Sequence, residues 1–194
     1  MTEDLPPELL SRIFLFKIRD EQPNFGGKMI EGSAYVEWYN MLTVCQYWYH
    51  TTIGCLQLWD YIISNLPPIR VKLFLSRSKQ VPIRVELNES DRRWHAKSLR
   101  LLLGEAHRIQ HLSIRMTWDH DEVLKALPLP LPLPILKSLK IAEGYRFPGF
   151  LTPSLPEPFP FFNMPHLSTL RTTRYELVKA KRLLQPRYHP SIRY

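Results

Sequence analysis

Residues 35–62, YVEWYNMLTVCQYWYHTTIGCLQLWDYI, carry the highest aromatic density in the chain and space their apolar positions as helices do. Leu42, Cys45 and Trp48 follow at i, i+3 and i+6, with Trp38, Met41 and Val44 beside them. That spacing predicts two short helices and a tail that share a wide apolar face. Such a face either packs on a core on one side and a partner on the other, or lies wholly inside a larger fold. Upstream, Leu5-Pro6-Pro7-Glu8 reads as a helix start: proline is tolerated in the first turn, where its missing N–H would be unpaired anyway, and Glu8 suits the positive helix end. The helix is expected to run to about Arg19. Leu9, Ile13 and Phe16, with Leu10 and Phe14 beside them, again make an apolar face wider than one small core needs. Residues 20–33, with Pro23, Gly26, Gly27 and Gly32, read as a loop.

From Pro67 onward helix-like and strand-like patterns alternate. Residues 69–78 are amphipathic, and residues 81–87 alternate apolar and polar with period two, a strand. Residues 96–107 read as a helix, 109–114 as a strand, 123–127 as a helical turn or two, 136–141 as a strand and 164–170 as a fourth strand. Superposing these stretches exposes a repeat. Val85, Leu112, Leu139 and Leu170 fall at equivalent places, and Ile109, Leu112 and Ile114 match Leu136, Leu139 and Ile141 in an L-x-x-L-x-L-like pattern. Spacings of about 27 residues with that pattern point to a leucine-rich-repeat solenoid, in which each strand joins a parallel sheet. An unrelated α/β arrangement with similarly spaced strands is the alternative. Residues 127–134, LPLPLPLP, favour an extended connector into the strand at Leu136. The Pro/Phe-rich stretch 147–165 accounts for the longer last spacing.

Charge divides the chain. Residues 1–66 have a net charge of −4, residues 67–169 of +6 and residues 170–194 of +6. The basic end permits a nucleic-acid or acidic partner. Its segment 176–185 can form a helix with Leu177, Ala180, Leu183 and Leu184 on one face and its charges outward. The two cysteines, Cys45 and Cys55, match neither a zinc knuckle nor a redox C-x-x-C and read as reduced thiols. The start, MTEDLPPE, has no apolar signal-like run and no stretch of about 18 apolar residues occurs, so cytoplasm or nucleus is the expected location. Nothing matches a zinc-protease H-E-x-x-H, a G-x-S-x-G elbow, a phosphate-cradling glycine loop or a dinucleotide fingerprint. His107 and His111 lack a third ligand by spacing, and Asp121 and Glu122 suit a helix start. No catalytic residue, metal site or cofactor is expected.

Leu5-Pro6-x-Glu8-Leu9-Leu10-x-x-Ile13-Phe14, then Val44-Cys45-x-x-Trp48, then Leu58-Trp59, occur in an order that resembles the F-box, a three-helix module. The similarity is greatest to the F-box-like proteins of mushroom-forming fungi, in which degenerate leucine-rich repeats commonly follow. The stretch between Phe14 and Val44 is longer than in the usual F-box by roughly a dozen or more residues. The resemblance implies an α/β chain with an all-α N-terminal module: a three-helix F-box-like module over residues 1–66, then a short leucine-rich-repeat-like α/β solenoid with a basic tail over residues 67–194. No capping repeat is visible after Leu170, and a truncated receptor is compatible with this organisation. The resemblance further implies that Leu5, Pro6, Leu9, Leu10, Ile13, Phe14, Val44, Cys45, Trp48, Leu58 and Trp59 bind a Skp-type adaptor and, through it, a cullin-RING ubiquitin ligase. The repeat surface would then recognise a protein substrate. The alternative function is a small basic nucleic-acid-binding protein that uses the Lys/Arg-rich tail from Arg171 to Arg193.

Overall fold

The computed structural model describes residues 5–21, 38–88, 96–116, 132–143 and 164–173, and they form a mixed α/β protein. The predicted loop over 22–33, the helical turn at 123–127, most of the proline connector, nearly all of 147–165 and the basic helix at 176–185 lie outside these residues. The chain separates into two compact units, Met1–Tyr61 with Phe74–Val81, and Ile62–Leu73 with Pro82–Tyr194.

The first unit is helical. Helix α1 (Pro7–Glu21) begins at a proline, as the sequence implies, and the Leu9 and Leu10 amides donate to the Pro6 carbonyl at 3.0 and 3.1 Å. It runs two residues past the expected end, so Asp20 and Glu21 are helical rather than loop. The aromatic stretch does not form one continuous face. A 3-10 segment (Trp38–Thr43) is followed, after Val44 and Cys45, by α2 (Gln46–Gly54), and then by a second 3-10 segment (Leu56–Trp59). Cys45 is the extended residue that precedes α2, which breaks the i, i+3, i+6 line through Leu42, Cys45 and Trp48. The core of this unit is aromatic. Phe14 packs on Trp48 with ring centroids 4.9 Å apart, and Trp59 packs edge-on against Phe74 at 5.3 Å. The Trp59 indole N–H donates to the Thr52 carbonyl at 3.1 Å, so this buried ring carries no unpaired polar atom.

The second unit is built on a sheet whose strands follow chain order: β1 (Tyr61–Ile63), β2 (Ile83–Asn88), β3 (Ile109–Met116), β4 (Ser138–Glu143) and β5 (Thr169–Thr173). The unit boundary falls within β1, and it also falls within α3 (Pro68–Ser78), which contributes Phe74 to the first unit. A further helix, α4 (Ala96–Gly104), connects β2 towards β3. Strands β2 to β5 pair in parallel, and their register is the one that the repeat predicts: Val85 opposite Leu112, Leu112 opposite Leu139, and Leu139 opposite Leu170. Val85, Leu112 and Leu139 are buried, whereas Leu170 on the last strand is half-buried.

Each of the last three strands is entered through the same tight turn. The Ile109 amide donates to the Ala106 carbonyl, Leu136 to Leu133 at 3.2 Å, and Leu167 to Met164 at 3.2 Å. These turns correct the expected boundaries. Leu136 and Leu167 read as strand residues in the sequence but close the turn, so β4 starts two residues later than expected and β5 five. Likewise the helix expected over 96–107 ends at Gly104, and Ala106–Arg108 forms the turn. Adjacent repeats are also tied between turns: the Lys137 amide donates to the Gln110 carbonyl at 2.8 Å, and the Thr169 amide to the Lys137 carbonyl at 3.0 Å.

Candidate interaction surface

Helix α1 carries two apolar stripes. Leu10, Phe14 and Ile18, at i, i+4 and i+8, are buried. Leu9, Ile13 and Phe16, at i, i+4 and i+7, are 47%, 52% and 72% exposed. One turn of helix separates members of each stripe, so each is a continuous ridge and not a scatter of single residues. The buried ridge supplies the unit's core, with Phe14 against Trp48. About half of Leu9 and Ile13 and most of Phe16 stay outside that core. An isolated exposed apolar residue is ordinary, whereas three aligned on one helix, ending in a phenylalanine, form a contiguous apolar ridge of the kind that marks interaction surfaces.

The structure sorts the remaining expected contact residues in the same way. Val44 is 56% exposed and Cys45 is exposed at the start of α2, with no side-chain capping bond. Pro6 is exposed. Leu5 is half-buried, and its carbonyl accepts a hydrogen bond from the Tyr47 hydroxyl, which fastens the entry to α1 to helix α2. Trp48 is half-buried, and its indole nitrogen is enclosed without a hydrogen-bond partner. Leu10, Phe14, Leu58 and Trp59 are interior. They supply the interior of the first unit. Phe16 and the 41%-exposed Tyr49 belong to the accessible apolar set although they were not among the expected contact residues. For Phe16 the signal was present in the i, i+4, i+7 spacing from Leu9.

The second unit offers a different surface. The parallel register puts Arg84, His111, Ser138 and Thr169 in one row across β2 to β5, and Glu86, Ser113, Lys140 and Arg171 in the next. The alternation that sends Val85, Leu112 and Leu139 inward places both rows on the opposite face. Burial first, and then the charges of Arg84 and Lys137, holds the His111 pKa below its ordinary value of 6.5.

His107 is exposed while His111 is half-buried on β3, and no group of three or more metal-ligating side chains occurs among the described residues. Cys45 and Cys55 flank the nine-residue helix α2, which spans about 13 Å. That is about twice the Cα separation that a disulfide bridges, and both thiols are free. No helix among the described residues is long and apolar enough to cross a membrane. No family model matches the chain, no curated protein matches it and no solved structure matches it.

Proposed function

We propose that the protein is a non-enzymatic substrate receptor, in which the N-terminal unit is an F-box-like module that docks on the Skp-type subunit of a cullin-RING ubiquitin ligase. The strands from β2 onward are a leucine-rich-repeat-like solenoid that offers its sheet to a protein substrate, and the ubiquitin chemistry belongs to the partner subunits. Cytoplasm or nucleus is the setting in which such a ligase works.

The observation that carries this reading is the exposed ridge Leu9–Ile13–Phe16 on α1, set beside a buried ridge that already supplies the core. Leu9 and Ile13 lie within the LPxELLxxIF stretch that resembles the F-box, Phe16 follows two residues after its end, and Val44 and Cys45 of the VCxxW stretch are exposed as well. The 27-residue register shared by β2, β3 and β4, entered through repeated turns, supports the solenoid part.

A pull-down with the full chain tests the reading. Cutting at residue 66 would remove Phe74, whose ring packs on Trp59, and would unsettle the first unit for reasons unrelated to docking. The wild-type chain is expected to retain a purified Skp-type adaptor, and a Leu9→Glu, Ile13→Glu double variant to lose it while keeping its helical circular-dichroism signal. Retention by the folded double variant would refute the assignment of this ridge.

A further inference from the structure

The polar face of the sheet carries an uneven charge. Among the described positions of its two rows, Glu86 is the single carboxylate, and it is buried, as is Lys140 two strands away. The accessible charges that remain are those of Arg84, Lys137 and Arg171, with the uncharged His111, Ser138 and Thr169 beside them. Arg84 and His111 are half-exposed on neighbouring strands, Lys137 is exposed where β4 begins, and Arg171 is exposed on β5. The backbone fixes these places: Arg84 is registered with His111, the Lys137 amide is hydrogen-bonded to Gln110 next to His111, and Ser138 and Thr169 complete the row. The charges of Arg84 and Lys137 are both felt by the imidazole.

We propose that this face is a docking site for an acidic polypeptide segment lying across the strands, with Arg84, Lys137 and Arg171 binding its carboxylates and His111, Ser138 and Thr169 lining the path between them. The inference rests on the reading of the sheet as the surface that meets a protein, and it supplies the chemistry of the segment recognised. Neighbouring strands lie about 4.8 Å apart, so cations on β2, just before β4 and on β5 extend over about 14 Å, the length of about four extended residues. An array spread that far matches successive carboxylates along a chain better than one compact anion. Arg171, exposed on the last strand, offers a planar fork that a carboxylate can engage through two parallel hydrogen bonds, while Arg84 adds its charge at the other end. Hydroxyls at Ser138 and Thr169 can satisfy backbone groups of the segment between its charged positions. Neither row contains a phenylalanine, tyrosine or tryptophan, the large rings on which successive bases of a single-stranded nucleic acid would stack.

Fluorescence anisotropy with the full chain and a short labelled peptide of alternating glutamate and serine, in about 0.15 M salt, tests the proposal. Saturable binding is expected, with little binding of the glutamine/serine counterpart. Arg84→Gln combined with Lys137→Gln should weaken binding about tenfold or more, the equivalent of one good charged contact. Lys137→Gln alone, a change at an exposed position, should weaken it without altering the melting curve. Neutralising Lys179, Lys181 and Arg182 in the basic tail should change the affinity less than about twofold. Absence of binding, a loss that follows only the tail variant, or an oligonucleotide that binds more tightly than the peptide and displaces it would each overturn the proposal. The same proteins are assayed for adaptor retention. If wild-type protein fails to hold the adaptor yet binds the peptide in this pattern, the adaptor reading fails and the acidic-segment site stands.

Discussion

The side chains that decide this structure are few, and each does a separate task. Trp59 fills the helical unit because its indole N–H finds the Thr52 carbonyl, and Ser98, wholly buried, is accommodated because its hydroxyl donates to the Leu66 carbonyl at 2.7 Å. A buried polar atom without such a partner would cost about 1–3 kcal/mol. His111 is the residue with a pH-dependent consequence. Burial and the two nearby cations disfavour its protonation in the folded chain, so its folded pKa lies below the unfolded value of 6.5. Above about pH 6.5 both states hold the neutral ring and nothing is lost. As the pH falls below that value the unfolded chain takes up the proton first, and stability declines until the folded imidazole is protonated too. Chemical denaturation at a series of pH values should therefore show a decline on the acid side of about pH 6.5 that is smaller in His111→Gln. An identical pH profile for the two proteins would show that the imidazole stays solvated.

At the scale of elements, helix α1 shows what the pattern of apolar residues did and did not reveal. The start at Pro7 and the excess of apolar positions were legible, because proline at the first turn and leucine, isoleucine and phenylalanine at helical spacing have direct physical meaning. Which of the two ridges faces inward was not legible, since Leu9–Ile13–Phe16 and Leu10–Phe14–Ile18 are almost equally apolar. Packing against Trp48 decides it. The distinction can be measured. Phe14→Ala is expected to cost about 3–5 kcal/mol of folding stability, whereas Ile13→Ser should stay within about 0.5 kcal/mol of wild type. Equal losses would mean that both ridges are interior. The strands show a related limit. Their common register followed from the spacing of Val85, Leu112 and Leu139. Their starts were misplaced because Leu136 and Leu167 supply apolar side chains to a turn, and a run of apolar residues does not reveal where a turn ends and a ladder begins. β1 shows no pattern of its own in the sequence, because three residues are too few to show a period of two.

For the molecule as a whole, the two units divide the labour that the proposed function requires. One presents an apolar ridge, the other a polar sheet face whose accessible charge is positive. That division matches the charge of the sequence, acidic over residues 1–66 and basic beyond, and it keeps the two surfaces chemically distinct. A ridge built from Leu9, Ile13 and Phe16 selects a partner by shape and burial, and salt should affect it little, whereas contacts at Arg84, Lys137 and Arg171 should weaken as salt is raised. Docking through this ridge is measured most directly by a calorimetric titration of the full chain with a purified Skp-type adaptor, comparing wild type with Ile13→Glu and Ile69→Glu. Ile69 on α3 is 74% exposed but stands outside the F-box-like pattern, so it controls for general stickiness. A stoichiometric complex is expected for wild type and for Ile69→Glu, and an affinity at least about thirtyfold lower for Ile13→Glu, the loss of one buried anchor of about 2 kcal/mol. No complex with the wild-type chain, or one that Ile13→Glu leaves unchanged, would contradict docking through this ridge.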